Sequence, residues 1–514
     1  MDILSSLALG FAVSLSLQNL AYCFIGVSLG LFVGVLPGLG SAATIALLLP
    51  ITYSLETTSA IIMLAGIWYG SMYGGSITSI LLSVPGESAT VMTTLDGYQM
   101  ARRGRAGAAL GMSVLASFIA GIFGLAGLVL LAPLLADFAL RFGPPEYFAL
   151  TLVGLTLVSY LGTQSALKAM AAAVIGLLLG VVGLDPVLAT SRFTYGTLHL
   201  QTGLDLVPVV MGLFGLAEVF NMIEKRRVRR PEIALPKGLR VLPNRDDWRA
   251  AAWPTAQGTI TGFLVGILPG AGATVSSYVA YALAKRWSRH PERYGTGEIG
   301  GVAAPEAANN SATGSGFIPL LTLGIPANVV MALMLGAFLL HGVTPGPTLM
   351  FKHPEMFWGI VTSMFVGNAL LLVLMLPLIG PISRITLIPD RITAPFITLI
   401  CIAGVYGVNN NPVDIAVMTL FGAVGYLMGK FGYPAAPLVL AFVLGPIMET
   451  SLRQSLIMSH ADFSIFFTRP VSGTLIGLAL LMATQPLVRA LLRAAGRRAA
   501  RAGAPAREWS DGGS

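Results

Sequence analysis

The sequence predicts an all-α polytopic membrane protein built from two inverted-topology repeats, each with a re-entrant hairpin and a broken helix. Three observations lead there. First, 55% of the residues are hydrophobic and only 11% charged, where a soluble domain carries about 25% charged residues. Apolar stretches at 107–132, 357–379 and 473–492 can each span a hydrocarbon core of about 30 Å. Second, "FVGVLPGLGSAATIALLLP" at 32–50 returns as "LVGILPGAGATVSSYVAYAL" at 264–283. Third, the loops that follow equivalent segments exchange their basic charge.

The repeat extends beyond that motif. "YGGSITSILLSVPGE" (73–87) matches "GSGFIPLLTLGIPAN" (314–328), and "PLLADFALRFGPPEYFALTLVGL" (133–155) matches "PLIGPISRITLIPDRITAPFITL" (377–399). Three segments in one order define a first repeat, 1–223, and a second, 251–470. A basic linker at 224–250 joins them, a further helix at 471–493 follows, and a basic tail at 494–514 closes the chain. The linker has nine Lys/Arg against four Asp/Glu, which places it and the tail in the cytoplasm by the positive-inside rule.

Loop charge sets the orientation of the halves. "ITYSLETTSA" has no Lys or Arg, and its counterpart "KRWSRHPERYG" has four. "MARRGRAG" has three Arg, and its counterpart "LLHGVTPGPTLMFKHPE" one Lys. Equivalent loops therefore lie on opposite faces, an arrangement common in secondary transporters.

Each element follows in order. Residues 3–18 are either a crossing or an interfacial helix. Residues 21–52 are a hairpin entering from outside, with Pro37-Gly38-Leu39-Gly40 at its tip. Crossings are expected at 58–84, 107–132, 146–162, 168–184 and 205–223. Residues 253–284 lie between two basic segments, and 32 residues cannot supply two full spans. They read as a hairpin entering from inside, with Pro269-Gly270-Ala271-Gly272 at the tip. Crossings at 303–326, 356–380, 394–410, 413–430, 434–448 and 471–493 complete the count.

The breaks carry the chemistry. Proline removes a donor and glycine permits close approach, and exposed backbone within a bilayer persists only where it lines a cavity or binds something. A half-helix that starts after each tip offers free N–H groups and a positive dipole end to a carboxylate. The substrate-site residues expected on this basis are Gly38, Gly40, Ser41 and Thr44 in the first repeat. In the second they are Gly270, Gly272 and Thr274, with Ser276 and Ser277 as further hydroxyls. The polar run Asn309-Asn310-Ser311-Ala312-Thr313 supplies Asn310, Ser311 and Thr313 for substrate. Two broken stretches face the tips, one with Tyr73-Gly74-Gly75-Ser76 and Pro85-Gly86, the other with Asn309–Ser315 and Pro326; unwound backbone in them suits a cation, with Gly74, Gly75, Ser76, Asn309 and Ser315 as the ion residues. Among ionisable groups, Lys168, Glu218, Asp414 and Glu449 read as interfacial anchors, while Glu87, Asp96 and Glu306 flank broken segments and are ion-linked candidates.

Other readings are weaker. A single Gly-Pro pair reads as helix packing; the paired occurrence in both repeats favours function. "GLGSAA" and "GAGATV" mimic a dinucleotide fingerprint but lack the strand–turn–helix unit it needs. The charge of +8 sits in loops and tail, so membrane lipid and not nucleic acid is the expected neighbour. Cys23 and Cys401 both lie in apolar segments, which argues against disulfides or a cysteine metal site. The start, with Asp2 and no basic stretch, is not expected to be a cleaved signal peptide. No catalytic motif or nucleotide site stands out, so the chain is not expected to be an enzyme, to need a cofactor, or to bind any metal beyond a co-transported sodium.

The stretches "GVLPGLGSAATIALLLPITY", "YGSMYGGSITSILLSVPGESATVMTTLDGYQMARRGRAGAALG", "GPPEYFALTLVGL", "GILPGAGATVSSYVAYALAKR" and "PEAANNSATGSGFIPLLTLGIPAN" resemble the large membrane subunit of tripartite tricarboxylate transporters, the TctA family. The resemblance implies a multi-pass importer of the bacterial inner membrane for a tricarboxylate or related organic acid. It further implies coupling to a proton or sodium gradient, an elevator mechanism, a periplasmic solute-binding protein and a small four-helix membrane subunit. The alternative is an ion antiporter or channel with the same broken helices and no binding protein.

Overall fold

The computed structural model describes residues 2–36, 40–160, 165–185, 187–224, 242–268, 270, 272–383 and 390–484. The first half contains α1 (Ile3–Ser14), α2 (Leu17–Gly34), α3 (Gly40–Thr52), α4 (Thr57–Leu82), α5 (Val91–Met100), α6 (Ala106–Ala139), α7 (Pro144–Tyr160) and α8 (Ala166–Gly180). A two-residue hairpin, β1 (Gly183–Leu184) with β2 (Ser191–Arg192), precedes α9 (Leu206–Val210) and α10 (Ala217–Glu224), which one π-helical segment connects. The second half contains α11 (Arg245–Ile267), α12 (Gly272–Trp287), α13 (Gly300–Ser315), α14 (Phe317–Leu323), α15 (Val329–Leu340), α16 (Leu349–Lys352), α17 (Pro354–Ser383), α18 (Asp390–Asn409), α19 (Pro412–Phe431), α20 (Ala435–Met458), α21 (Ile465–Thr468) and α22 (Pro470–Thr484). Eight helical stretches among the described residues are long and apolar enough to cross a membrane.

Burial separates centre from rim. The apolar window of α4 is entirely buried, whereas that of α19 is 17% buried, the pattern of a helix facing lipid. Helix α1 lies along α17: Gly10 abuts the Trp358 carbonyl, and Thr362 Oγ1 donates to Ser14 Oγ at 3.0 Å. Helix α20 packs on α7 and α8, with Gly176 against the Leu438 carbonyl.

The two halves are assembled by the same contact. On α2, Gly26, Gly30 and Gly34 sit against the backbone of Met63, Ile67 and Ser71 on α4. On α11, Gly258, Gly262 and Gly266 sit against Ala304, Ala308 and Ala312 on α13. Each residue of the second set is the repeat partner of one in the first. Glycines spaced four apart remove side chains from one stripe and let two backbones meet, as membrane helices do in the absence of a hydrophobic drive between them.

The breaks match as closely. Helix α4 ends on Ser83, left-handed at φ 58°, and α14 on Gly324, left-handed at φ 72°. The next N-caps are Glu87 and Asn328. A left-handed serine costs on the order of 1–2 kcal/mol that glycine avoids. Gly40 and Gly272, which open α3 and α12, both have φ +57°, a conformation that favours glycine.

Three expectations need correction. Tyr73–Ser76 and Asn309–Ser315 are helical, inside α4 and α13; the chain unwinds later, at 83–87 and 324–328. The span expected at 303–326 runs from Gly300, turns at Gly316 and stops at Leu323. Helices α5 and α15 occupy segments between the expected crossings, where no helix is expected. Residues 3–18 prove to hold α1. Pro37, Gly38, Leu39, Pro269 and Ala271 lie outside the described residues, as do most of the linker, the end of the 471–493 helix and the whole tail.

Candidate substrate and ion site

The break after α4 folds back onto its own helix and onto the neighbouring hairpin. Gly75 leaves room for Glu87, and the Gly86 amide donates to the Gly75 carbonyl at 3.4 Å. This brings the Glu87 carboxylate to the start of α3, where it accepts from the Ser41 amide at 2.5 Å and lies over Gly40. Thr44 turns its hydroxyl back to the Gly40 carbonyl at 2.7 Å. The first half-helix start thus holds a carboxylate that belongs to the chain.

The second start has the same frame and different chemistry. The Gly270 amide donates to the Ala327 carbonyl at 2.6 Å. Gly272 faces Asn328, the repeat partner of Glu87, with a Cβ at Gly272 set 3.3 Å from Asn328 Cβ. Asn328 Oδ1 caps α15 through the Met331 amide. Ser276 and Ser277 bond back to the Gly272 and Thr274 carbonyls at 2.8 Å. Thr274, half-buried, instead reaches across to the first repeat: its Oγ1 lies 2.9 Å from Ser88 Oγ.

The polar run of α13 faces inward. Asn309, Asn310, Ser311, Thr313 and Ser315 are all fully buried. Thr313 Oγ1 donates to the Asn309 carbonyl at 2.7 Å. Asn310 Nδ2 donates to Ser117 Oγ on α6 at 2.7 Å and to Asn309 Oδ1 at 2.6 Å. Asn310 Oδ1, Ser311 Oγ and Ser315 Oγ have no protein partner, although buried polar atoms are ordinarily bonded. One turn earlier, Glu306 is fully buried and accepts from Thr93 Oγ1 at 2.5 Å and Ser76 Oγ at 2.7 Å. Of the expected ion residues, Ser76 therefore reaches the α13 cluster directly. Gly74 packs on α2 at Leu31 and Val35, and Gly75 on Glu87.

Asp96 serves another purpose. Its carboxylate accepts from the amides of Gly295, Gly297 and Glu298 and from Tyr281 Oη, so it latches the loop between α12 and α13. Outside the spans, the Leu188 amide holds the Asp185 carboxyl below the usual carboxylate range, opposed by desolvation and helped by the Val187 amide, Arg192 and Arg453. Glu449, which accepts from Arg192 at 2.9 Å, joins that ion-paired group.

Buried polar groups on helices that lead into paired breaks, inside a multi-pass helical bundle, are the pattern of a membrane transport protein. The chain belongs to the tripartite tricarboxylate transporter TctA family, whose model matches residues 20–440. It is therefore a subunit of a transporter that works with partner subunits, from a family of transporters and not of enzymes. It is 46% identical, over 95% of its length and 98% of the relative's, to an uncharacterized 52.8 kDa protein in the TAR-I ttuC' 3'region of Agrobacterium vitis. It is also 46% identical to an uncharacterized protein in the TAR-II ttuC' 3'region of Agrobacterium vitis, over 44% of this chain and 96% of that relative. No solved structure matches it.

Proposed function

We propose that the chain is the large permease subunit that imports an organic carboxylate, a tricarboxylate or a related acid, across the bacterial inner membrane. A periplasmic solute-binding protein delivers the substrate, a small four-helix subunit completes the complex, and an inward proton or sodium gradient drives uptake. One observation carries the reading: a half-helix start of this protein already holds a carboxylate, Glu87 on the Ser41 amide at 2.5 Å. The repeat-equivalent start at Gly272 has the neutral Asn328 in that place. A free carboxylate fits there, with Gly270, Gly272, Thr274 and the buried Asn310, Ser311 and Thr313 behind it. The cation belongs with Ser76, Asn309 and Ser315 where α4 and α13 face each other, with Gly74 and Gly75 on the adjoining side of α4, because among the described residues no Lys or Arg stands at these breaks and a half-helix dipole supplies only about half a charge.

The inverted arrangement is supported by the exchange of basic loops together with the matched glycine stripes. An elevator movement of both hairpins with α4 and α13 as one body is the mechanism these packed pairs suit. The test is uptake across a panel of carboxylates in proteoliposomes with the partner proteins. Uptake is expected to collapse when the driving gradient is dissipated; uptake that survives loss of both proton and sodium gradients would identify a passive channel instead.

A further inference from the structure

We infer that Glu306 is the group that takes up and releases the coupled proton; this deepens the importer reading and rests on it. Glu306 belongs to the second repeat, and its hydroxyl partners belong to three helices of the first: Ser76 on α4, Thr93 on α5 and Ser117 on α6. It is fully buried, and among the described residues no Lys, Arg or His pairs with it. A buried charge without a countercharge is costly, and a carboxyl so placed relieves the cost by binding a proton.

The neighbours accept both protonation states. As a carboxylate, Glu306 receives the Ser76 hydroxyl at Oε2 and the Thr93 hydroxyl at Oε1. Ser76 Oγ also lies 3.1 Å from the Met72 carbonyl. When a proton binds Oε2, the new O–H donates to Ser76 Oγ, and the Ser76 hydroxyl rotates to Met72. One proton is added and one O–H bond forms at Oε2; no bond between heavy atoms changes, and no polar atom is stranded. The change is passed to α4 through Ser76, whose hydroxyl turns from the carboxyl to the Met72 carbonyl.

Most titratable groups on the surrounding elements are committed elsewhere; Tyr69 on α4 is buried with a hydroxyl that has no protein partner and carries no charge to pair with Glu306. Tyr73 on α4 donates to Asn368 Oδ1. Asp96 on α5 and Tyr281 on α12 bond one another. Glu87 lies on Ser41. The charged residues of α11 are confined to Arg245–Arg249, and Lys285 and Arg286 end α12; the inner face of α6 is neutral. Oxygens set 2.5 and 2.7 Å from the carboxyl have the spacing of shared protons, not of separate ligands arranged around a sodium ion.

Infrared difference spectra of the reconstituted protein on a pH step test this without any substrate. A protonated-carboxyl band that titrates is expected in the wild type, shifted in Ser76→Ala and absent in Glu306→Gln, an isosteric change that keeps the acceptor. A band that persists in Glu306→Gln, or that sodium erases at constant pH, overturns the assignment. Should Glu306→Gln not fold, a Ser76→Ala band at the wild-type frequency also overturns it. In proteoliposomes with the partner subunits, radiolabelled citrate is the probe under an inward pH gradient. Glu306→Gln is expected to keep citrate exchange and lose accumulation above the external concentration. Equal accumulation by wild type and Glu306→Gln refutes the role of Glu306 alone. A wild type that accumulates no carboxylate of the panel refutes the importer reading, while the infrared result stands by itself.

Discussion

The hydroxyls of Ser88 and Thr274 meet at 2.9 Å, although 186 positions separate them in the chain. Ser88 follows the break of the first repeat and Thr274 opens the half-helix of the second. The contact brings the two breaks together and sets a hydroxyl pair at the start of the second half-helix.

Thr274→Ala removes that hydroxyl. The apparent KM for the transported carboxylate is expected to rise while the amount of protein in the membrane holds. A lost hydrogen bond costs about 0.5–1.5 kcal/mol when neutral and about 1.5–3 to a charged group, so the rise falls between about 2- and 150-fold. Uptake kinetics read it directly, and an unchanged KM would move the substrate away from Gly272.

Asn328→Glu copies the chemistry of the first break into the second. The new carboxylate is expected to settle on the α12 start as Glu87 does on α3, and to abolish uptake without unfolding the protein. Asn328→Gln, which keeps the amide, serves as control. Full activity in Asn328→Glu would show that the second start does not receive the substrate.

The glycine stripes give a stability prediction. A methyl group at Gly30 would collide with the Ile67 carbonyl, and one at Gly262 with the Ala308 carbonyl. Gly30→Ala and Gly262→Ala are expected to cost about 1–3 kcal/mol, as overpacking does. Gly429 on α19 has open space around it, so Gly429→Ala is expected to be neutral or stabilising by up to about 1 kcal/mol. Thermal unfolding in detergent separates the two classes.

Orientation is checked by labelling. A cysteine at exposed Ser54, which spares the Glu56 cap of α4, is expected to react from the periplasm, and one at exposed Arg289 from the cytoplasm. Cys23 and Cys401 are buried and give little background. Reaction of both from one side contradicts the inverted repeats.

Residue chemistry made much of this legible. Pro and Gly in the same order twice mark the breaks wherever the rest of the chain folds, and the halves could be aligned from them. In each broken stretch the proline end, Pro85-Gly86 or Pro326, is where the chain unwinds, while Tyr73–Ser76 and Asn309–Ser315 stay helical. Asn, Ser and Gly are weak helix formers, so Asn309–Ser315 read as irregular, but the segment is helical: Asn310 Nδ2 finds Ser117 and Thr313 finds the Asn309 carbonyl, while Asn310 Oδ1, Ser311 Oγ and Ser315 Oγ stay without a protein partner. Helix α5 was hidden by the polar "TTLDGYQM", and α15 by its short length. Thr93 and Ser117 carried no signal: they join Glu306 from 213 and 189 positions away, and only the packing of α5 and α6 on α13 brings them there. Glu87 stood out as acidic beside a break, yet nothing in its neighbours announced that it would sit on Ser41.

That seat makes Glu87 a competitor built into the frame. A group on a short tether is present at its own site at an effective concentration on the order of millimolar. On the import reading proposed above, a solute anion must exceed that to claim the α3 start, whereas among the described residues no tethered acid lies on the α12 start. The two half-helix starts share one frame, with Gly40 and Gly272 at the same φ, and a single acidic side chain makes them unequal: the first carries its own carboxylate and the second faces a neutral amide.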